Sequence, residues 1–287
     1  MGGSGALMLD LRSSIVKSWR KRKWYHQRKD YMGLYHWQWL FVYWGGVIGY
    51  KIYRHEKRQE QEFNNLSGQV SFLQEKLEQT TEYYNFQPGY RDDTFNYLAI
   101  GNSLTLIGSW GRGICATQPD GDYFGRVEAY LSQTKGETVG YRFNFATWEL
   151  MSARENAYPL LDKLLSDKLN LVTIQLGENV RDNTTYEKDL EGLISYVHQK
   201  APKAKIVLIG DFWDKKRNQM RQQAAEATDT PFADLEPIIG DKKYQSKEGT
   251  ECEMADGTTR KVSKIEETHP GDEGMEYIAE KVMELIP

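Results

Sequence analysis

The chain has 287 residues, 39% of them hydrophobic and 27% charged, with 25 glycines, 8 prolines and a formal net charge of −4. That length accommodates one globular domain of ordinary size plus an appendage, and the composition excludes a collagen or a disordered tail. The acidic balance argues against a nucleic-acid partner for the chain as a whole.

The charge is unevenly spread. Residues 1–30 form a basic leader: MGGSGA opens it as a flexible start without fold information, and RSSIVKSWRKRKWYHQRK follows from Arg12 to Lys29. Residues 31–53, YMGLYHWQWLFVYWGGVIGYKIY, are interrupted only by His36 and Lys51. A helix needs about 20 apolar residues to cross a bilayer, and this stretch reaches that length if its Trp and Tyr ends (Trp37, Trp39, Tyr43 and Trp44; Tyr50 and Tyr53) sit at the headgroups. The segment is therefore read as a transmembrane helix; the alternative is a buried or interfacial helix, because its strictly apolar centre is short. Lys and Arg are denser before the segment than after it, which predicts a cytoplasmic N-terminus and an extracytoplasmic remainder at the cell membrane. No small-x-small cleavage site follows, so a cleaved signal peptide is not expected.

Residues 54–90 are expected to form a helical stalk. Phe63, Leu66, Val70, Leu73, Leu77, Thr80 and Tyr84 alternate spacings of three and four, a heptad seam near the minimum length for a coiled coil. It would join copies of the chain or a partner; a single amphipathic helix packed on its own domain or a neighbour fits the spacing equally well. Pro88 and Gly89 break the pattern and mark a domain boundary.

From residue 91 to 287 short apolar runs alternate with helical ones. YLAIG, VGYRFNFA, LVTIQLG, AKIVLIGDFW and the short PFADLEPI read as strands. Helices are expected near Phe124–Ser132, Glu149–Lys168, Tyr186–Lys200 and Lys215–Ala227, and from about Gly271. The alternation predicts an α/β fold, a doubly wound parallel sheet of flavodoxin-like three-layer type. Residues 240–264 break it: they are polar and turn-rich, with Glu-Gly and Asp-Gly pairs suited to a hairpin, and read as an inserted flap beside the last helix.

Four short blocks sit at the ends of these elements: Gly101-Asn102-Ser103-Leu104 after the first strand, NFATWE after the second, LGEN after the third and THPGDEG before the last helix. In that order they resemble the blocks of the SGNH (GDSL-type) hydrolase and O-acyltransferase family, over about residues 95 to 287. The resemblance implies that Ser103 is the nucleophile of an acyl-serine mechanism and that His269 is its base. It also implies an oxyanion hole built from the Ser103 N–H, the Asn179 side chain and a main-chain N–H of the second block. There the family has glycine and this chain offers Asn144, Ala146, Thr147 and Trp148, of which Ala146 is taken as the donor, since any non-proline residue supplies an N–H. The family's acid is an aspartate three residues before the histidine; here that position is Glu266, with Asp211 at the end of the fourth strand as the alternative, and a dyad helped by a backbone carbonyl as a third arrangement.

Cys115 and Cys252 are the only cysteines and are both expected at the rim of the site, where an extracytoplasmic compartment would permit a disulfide; two unrelated thiols are the alternative. No cluster has metal-ligand spacing and no Gly-rich phosphate loop occurs, so neither metal nor cofactor is expected. The resemblance and the anchor together imply a membrane-anchored serine esterase or O-acyltransferase acting on acyl, foremost acetyl, esters of a cell-surface glycan. Its expected partners are the acylated glycan or acyl donor and a membrane-bound O-acyltransferase or polysaccharide synthase. The competing reading is a catalytically degenerate scaffold subunit of an envelope polysaccharide complex, favoured by the missing glycine and the substituted acid.

Overall fold

Five apolar runs become strands: β1 (Phe95–Gly101), β2 (Thr138–Asn144), β3 (Leu171–Gln175), β4 (Lys205–Ile209) and β5 (Phe232–Ala233). In the computed structural model, which describes residues 54, 55, 57–59 and 88–286, they form one sheet in the order β2-β1-β3-β4-β5 with every pairing parallel. All five residues of β3 are buried; a parallel strand covered on both faces reads as an unbroken apolar run rather than an alternating one. The chain leaves β1 for one edge of the sheet and returns to β3 on its other side. The crevice outside the carboxyl ends of β1 and β3 is therefore the switch point of the topology, where open α/β sheets place ligands. Gly101 pairs with Asn144 of β2 and with Gln175 of β3, so the loops following these three strands leave the sheet side by side.

The helices are α1 (Tyr123–Thr134), the short α2 (Ala146–Leu150), α3 (Tyr186–Lys200), α4 (Lys215–Ala227) and α5 (Asp272–Met283). Asp122 and Asp214 cap α1 and α4, accepting from the N–H groups of Gly125 and Arg217; such a cap contributes about 1 kcal/mol. α1 packs on α5, and α3 packs on α4. Tyr97 and Ala99 of β1 and Val207 and Ile209 of β4 share one core with Val127 and Leu131 of α1 and Ile278 and Val282 of α5. Side chains alternate along a strand, so Leu98, Ile100 and Leu208 point to the opposite face, the side left for α3 and α4. The result is the expected α/β sandwich.

Two stretches depart from the simple alternation. The helix expected over Glu149–Lys168 stops at Leu150, where Met151 turns extended (φ −84, ψ 143), and a 3₁₀ helix follows over Arg154–Leu161. Pro159 lies inside that segment, without an N–H to donate, and Arg154 is buried against Asp189 and Thr185 at the start of α3. The flap forms the expected hairpin, β6 (Glu251–Glu253) antiparallel to β7 (Thr259–Lys261). It is tied to the body where Glu253 N–H donates to the Thr117 carbonyl at 2.8 Å.

The basic leader, the segment expected to span a membrane (31–53) and the heptad seam (63–84) lie outside the described residues. Among the described residues no helix is long and apolar enough to cross a membrane.

Candidate functional site

Ser103 stands two residues beyond the end of β1, half-buried. A Cβ at Gly101 would collide with the Thr105 side chain and lie 3.0 Å from the Gln175 carbonyl, so the tight exit from the strand needs glycine there. Thr105 and Leu106 N–H groups donate to the Asn102 carbonyl at 3.0 and 2.9 Å, and Ile114 N–H donates to the Ser103 carbonyl at 2.9 Å. Asn102 is a buried anchor rather than an exposed cap: its Oδ1 accepts from Leu104 N–H at 3.3 Å, and its Nδ2 donates to Glu149 Oε1 at 3.0 Å and Glu178 Oε2 at 2.6 Å. Among the described residues neither the N–H nor the Oγ of Ser103 makes a hydrogen bond. The turn thus holds a serine whose own amide and hydroxyl are both unused.

The loop after β3 brings Asn179 to the same crevice. Asn179 Nδ2 donates to Glu149 Oε2 at 2.7 Å and its N–H to Glu149 Oε1 at 3.4 Å, and Gly177 N–H also donates to Glu149 Oε1. Gly177 has φ +134, and a Cβ there would collide with Tyr186 Oη; only glycine suits the position. Ala146 corrects the expectation for the second block. Its N–H donates to Asn144 Oδ1 at 3.0 Å, two residues back, in the local side-chain-to-backbone turn that asparagine favours, so that amide is engaged rather than free to face the crevice.

His269 lies just before α5 in a tight turn: its N–H donates to the Glu266 carbonyl at 2.9 Å, and its own carbonyl accepts from Ser246 N–H at 2.8 Å. The ring nitrogen Nδ1 is 3.0 Å from the same Glu266 carbonyl. A carbonyl can only accept, so Nδ1 carries a proton, and in the neutral imidazole Nε2 is then the nitrogen that keeps its lone pair. Trp213 packs edge-on to the imidazole with ring centroids 5.3 Å apart, and its Nε1 donates to the Thr268 carbonyl at 2.8 Å. Burial holds the imidazole pKa below its ordinary value of 6.5, against the opposing Glu266 hydrogen bond.

Neither candidate acid places its carboxylate on that ring. Glu266 accepts from Ser263 N–H at 2.8 Å, Ser263 Oγ at 2.6 Å, Trp110 Nε1 at 3.1 Å and Arg260 at 2.8 Å. Burial works to raise its pKa, but these donors and the Arg260 charge outweigh it and hold the group below the usual glutamate value. Asp211 accepts from the N–H groups of Trp213 and Asp214, both at 2.8 Å, and pairs with Arg217 at 2.7 Å and Arg221 at 3.3 Å. It shapes the turn that carries Trp213. The third arrangement, a main-chain carbonyl on Nδ1, is the one present.

Cys115 and Cys252 do meet, in a small cluster with Trp110, Ile114 and Val262, but as free thiols and not as the expected disulfide. Cys115 Sγ donates to the Glu266 carbonyl at 3.6 Å and Cys252 Sγ to the Thr250 carbonyl at 3.8 Å. Burial pushes Cys115 up to about 12 and raises Cys252 as well, which keeps both protonated and unreactive.

Beneath the crevice lies a buried charge network that the sequence reading missed. Glu178 accepts from Asn102, from Gln175 Nε2 at 2.7 Å and from Arg221 at 2.8 Å; burial raises its pKa against the pull of Arg221. Glu149 is 2% exposed. The available signal was weak: Glu149 is the final letter of NFATWE and Glu178 the third of LGEN, but nothing in a spacing tells a buried glutamate from a solvated one. A cleft of about 530 Å3 opens beside Asn179, with Glu149, Leu150, Met151, Arg154 and Arg181 among its walls. Among the described residues no group of three or more His, Cys, Asp or Glu side chains could hold a metal ion.

No family model matches the chain, and no curated protein matches it. It is similar to solved structures. One is phospholipase A1 from Streptomyces albidoflavus NA297, at TM-score 0.44 and 14% identity over 68% of this chain and 100% of that one. A two-domain esterase (CEX) active on acetylated mannans aligns at TM-score 0.46 and 18% identity, over 67% of this chain and 48% of its own. Axe2, an acetyl-xylooligosaccharide esterase from Geobacillus, aligns at 0.43 and 17%, over 70% and 95%.

Proposed function

We propose that the chain is a serine acyl-ester hydrolase or O-acyltransferase in which Ser103 is the nucleophile and His269 the base. The observation that carries this reading is the 3.0 Å contact between His269 Nδ1 and the Glu266 carbonyl, which assigns the tautomer. With the Nδ1 proton directed at the Glu266 carbonyl, Nε2 is the free, unprotonated nitrogen that a weakly acidic hydroxyl needs beside it. In the proposed reaction Ser103 Oγ adds to the ester carbonyl carbon as its proton passes to Nε2. The oxyanion is received by the Ser103 N–H and the Asn179 Nδ2; one such donor contributes about a hundredfold or more. Collapse breaks the bond to the leaving alcohol, which takes the proton from Nε2 and leaves acyl-Ser103. Water, for a hydrolase, or a sugar hydroxyl, for a transferase, then gives its proton to Nε2 and adds to the acyl carbon; as that intermediate collapses, Ser103 Oγ leaves and takes the proton back from Nε2, which restores both groups.

The main-chain carbonyl takes the orienting part that a carboxylate plays in a full triad, so the machinery is a dyad. We further propose the finer reading from the sequence: an acetylated cell-surface glycan as substrate and an extracytoplasmic domain held by residues 31–53. The competing scaffold reading draws on the Ala146 N–H and the Glu266 carboxylate, both engaged elsewhere. The test is turnover of 4-nitrophenyl acetate together with labelling by a fluorophosphonate, in the wild-type protein and in Ser103→Ala. Turnover and label on Ser103, both lost in the variant, are expected. Equal turnover by Ser103→Ala overturns the nucleophile, and neither turnover nor label in the wild type favours the scaffold.

A further inference from the structure

We infer that Glu149 is a positioning residue that sets the oxyanion side of this site, an inference that rests on the acyl-serine reading above. Its carboxylate accepts from four donors: Asn102 Nδ2 at 3.0 Å, Gly177 N–H, Asn179 N–H at 3.4 Å and Asn179 Nδ2 at 2.7 Å. All of them come from the loops that follow β1 and β3, while Glu149 itself sits on α2, just past the end of β2. One side chain therefore ties together the exits of three neighbouring strands, and the residues it holds are the neighbour of the nucleophile and the amide proposed to receive the oxyanion.

A carboxylate at 2% exposure is costly unless its oxygens are hydrogen-bonded; filling space alone would call for an apolar residue. The specific property that a carboxylate brings is that it accepts and never donates. Asn179 must then turn its nitrogen end toward Glu149. One Nδ2 hydrogen is held by Oε2, and the other is left for the cleft that Asn179 lines. With a donor in place of Oε2, the Asn179 amide can reverse, presenting Oδ1 where the oxyanion would form and repelling it; the three donors gathered on Oε1 keep an acceptor there and so direct the new nitrogen of a glutamine to the Oε2 side.

Glu149→Gln makes that change with almost no change in shape. However the new amide turns, its nitrogen faces at least one of the four donors. The expected result is a ten- to hundredfold lower kcat for 4-nitrophenyl acetate with KM near the wild-type value, because the oxyanion forms only after substrate is bound. Asn179→Ala should lose about a hundredfold, and the double variant Glu149→Gln/Asn179→Ala should be no worse than Asn179→Ala alone. That failure to multiply distinguishes positioning of Asn179 from a general structural role, in which the two losses would compound. Wild-type kcat in Glu149→Gln, or losses that multiply in the double variant, overturns the inference. If Glu149→Gln does not fold, Glu149→Asp decides: it keeps the charge but cannot span both loops, so kcat should fall at constant KM, and an unchanged kcat overturns the inference. Ser103→Ala, measured alongside, separates the two levels: full turnover in that variant removes the acyl-serine reading itself, whereas a dead Ser103→Ala beside a fully active Glu149→Gln removes only the role of Glu149.

Discussion

Glu266→Gln should separate stability from catalysis. The glutamate is 8% exposed, and its two oxygens serve four donors: Ser263 N–H and Oγ on one, Trp110 Nε1 and Arg260 on the other. Glutamine keeps the shape but puts an NH2 against one of these pairs. A buried donor left without its acceptor costs about 1–3 kcal/mol; the Arg260 partner is a third exposed, so its share is discounted for solvent. The expected loss is about 2 kcal/mol, or about 4–8 °C in melting temperature for a unit of this size. Because the folded-state pKa is depressed, the contribution is fully present at neutral pH and is lost as pH falls through that depressed value. Catalysis should change by less than tenfold, since His269 Nδ1 meets the main-chain carbonyl of residue 266 rather than its carboxylate. Removing a carboxylate that truly orients a triad histidine costs about 10⁴ in kcat. Thermal melts and kcat for 4-nitrophenyl acetate, read well below both melting points, measure the two effects. A thousandfold or greater fall in kcat with an unchanged melting temperature would refute the dyad.

Burial depresses the His269 pKa and in the proposed dyad the free base is the active form, so the acid limb of kcat/KM should lie below 6.5; a pH–rate profile whose limb lies above that value contradicts the burial argument. Gly177→Ala should cost at least about 2 kcal/mol, from φ +134 and the collision with Tyr186 Oη, and an unchanged melt would show that the loop relaxes freely. Titration with a thiol reagent should find Cys115 and Cys252 slow in the native protein and both reactive in denaturant, as expected of buried thiols; no thiol released in denaturant would restore the disulfide.

Elements whose apolar spacing matches one period were legible in the chain. α3 falls where its pattern lies, and β1, β3 and β4 announce themselves as unbroken apolar runs, whereas α4 was read as a polar helix and carries little apolar spacing. The stretch 149–168 was not, because Trp148 and Glu149 turn into the core and Arg154 is held by Asp189, contacts made through space that a local period does not record. For the site, Ser103, Asn179 and His269 stand at the element ends where their blocks put them. The directions of side chains were hidden: which way Glu266 points is settled by Ser263, Trp110 and Arg260, and where the Ala146 N–H goes is settled by Asn144. Glu149 carries no local mark of its role, because its partners are 28 to 47 positions away in the chain.

The Glu266 carbonyl accepts from His269 N–H, from His269 Nδ1 and from Cys115 Sγ. Every residue type carries that carbonyl, so no point substitution can delete it. A conventional alanine scan for the partner of His269 would return nothing, and the identity of residue 266 is free to drift as far as the base is concerned. What heredity can alter is the path of the backbone from 266 to 269. Insertions, deletions or a proline within that turn would disarm the proposed base while both side chains of the proposed dyad stayed in place, so loss of the proposed activity in descendants of this chain should trace to changes of loop length before changes of side chain.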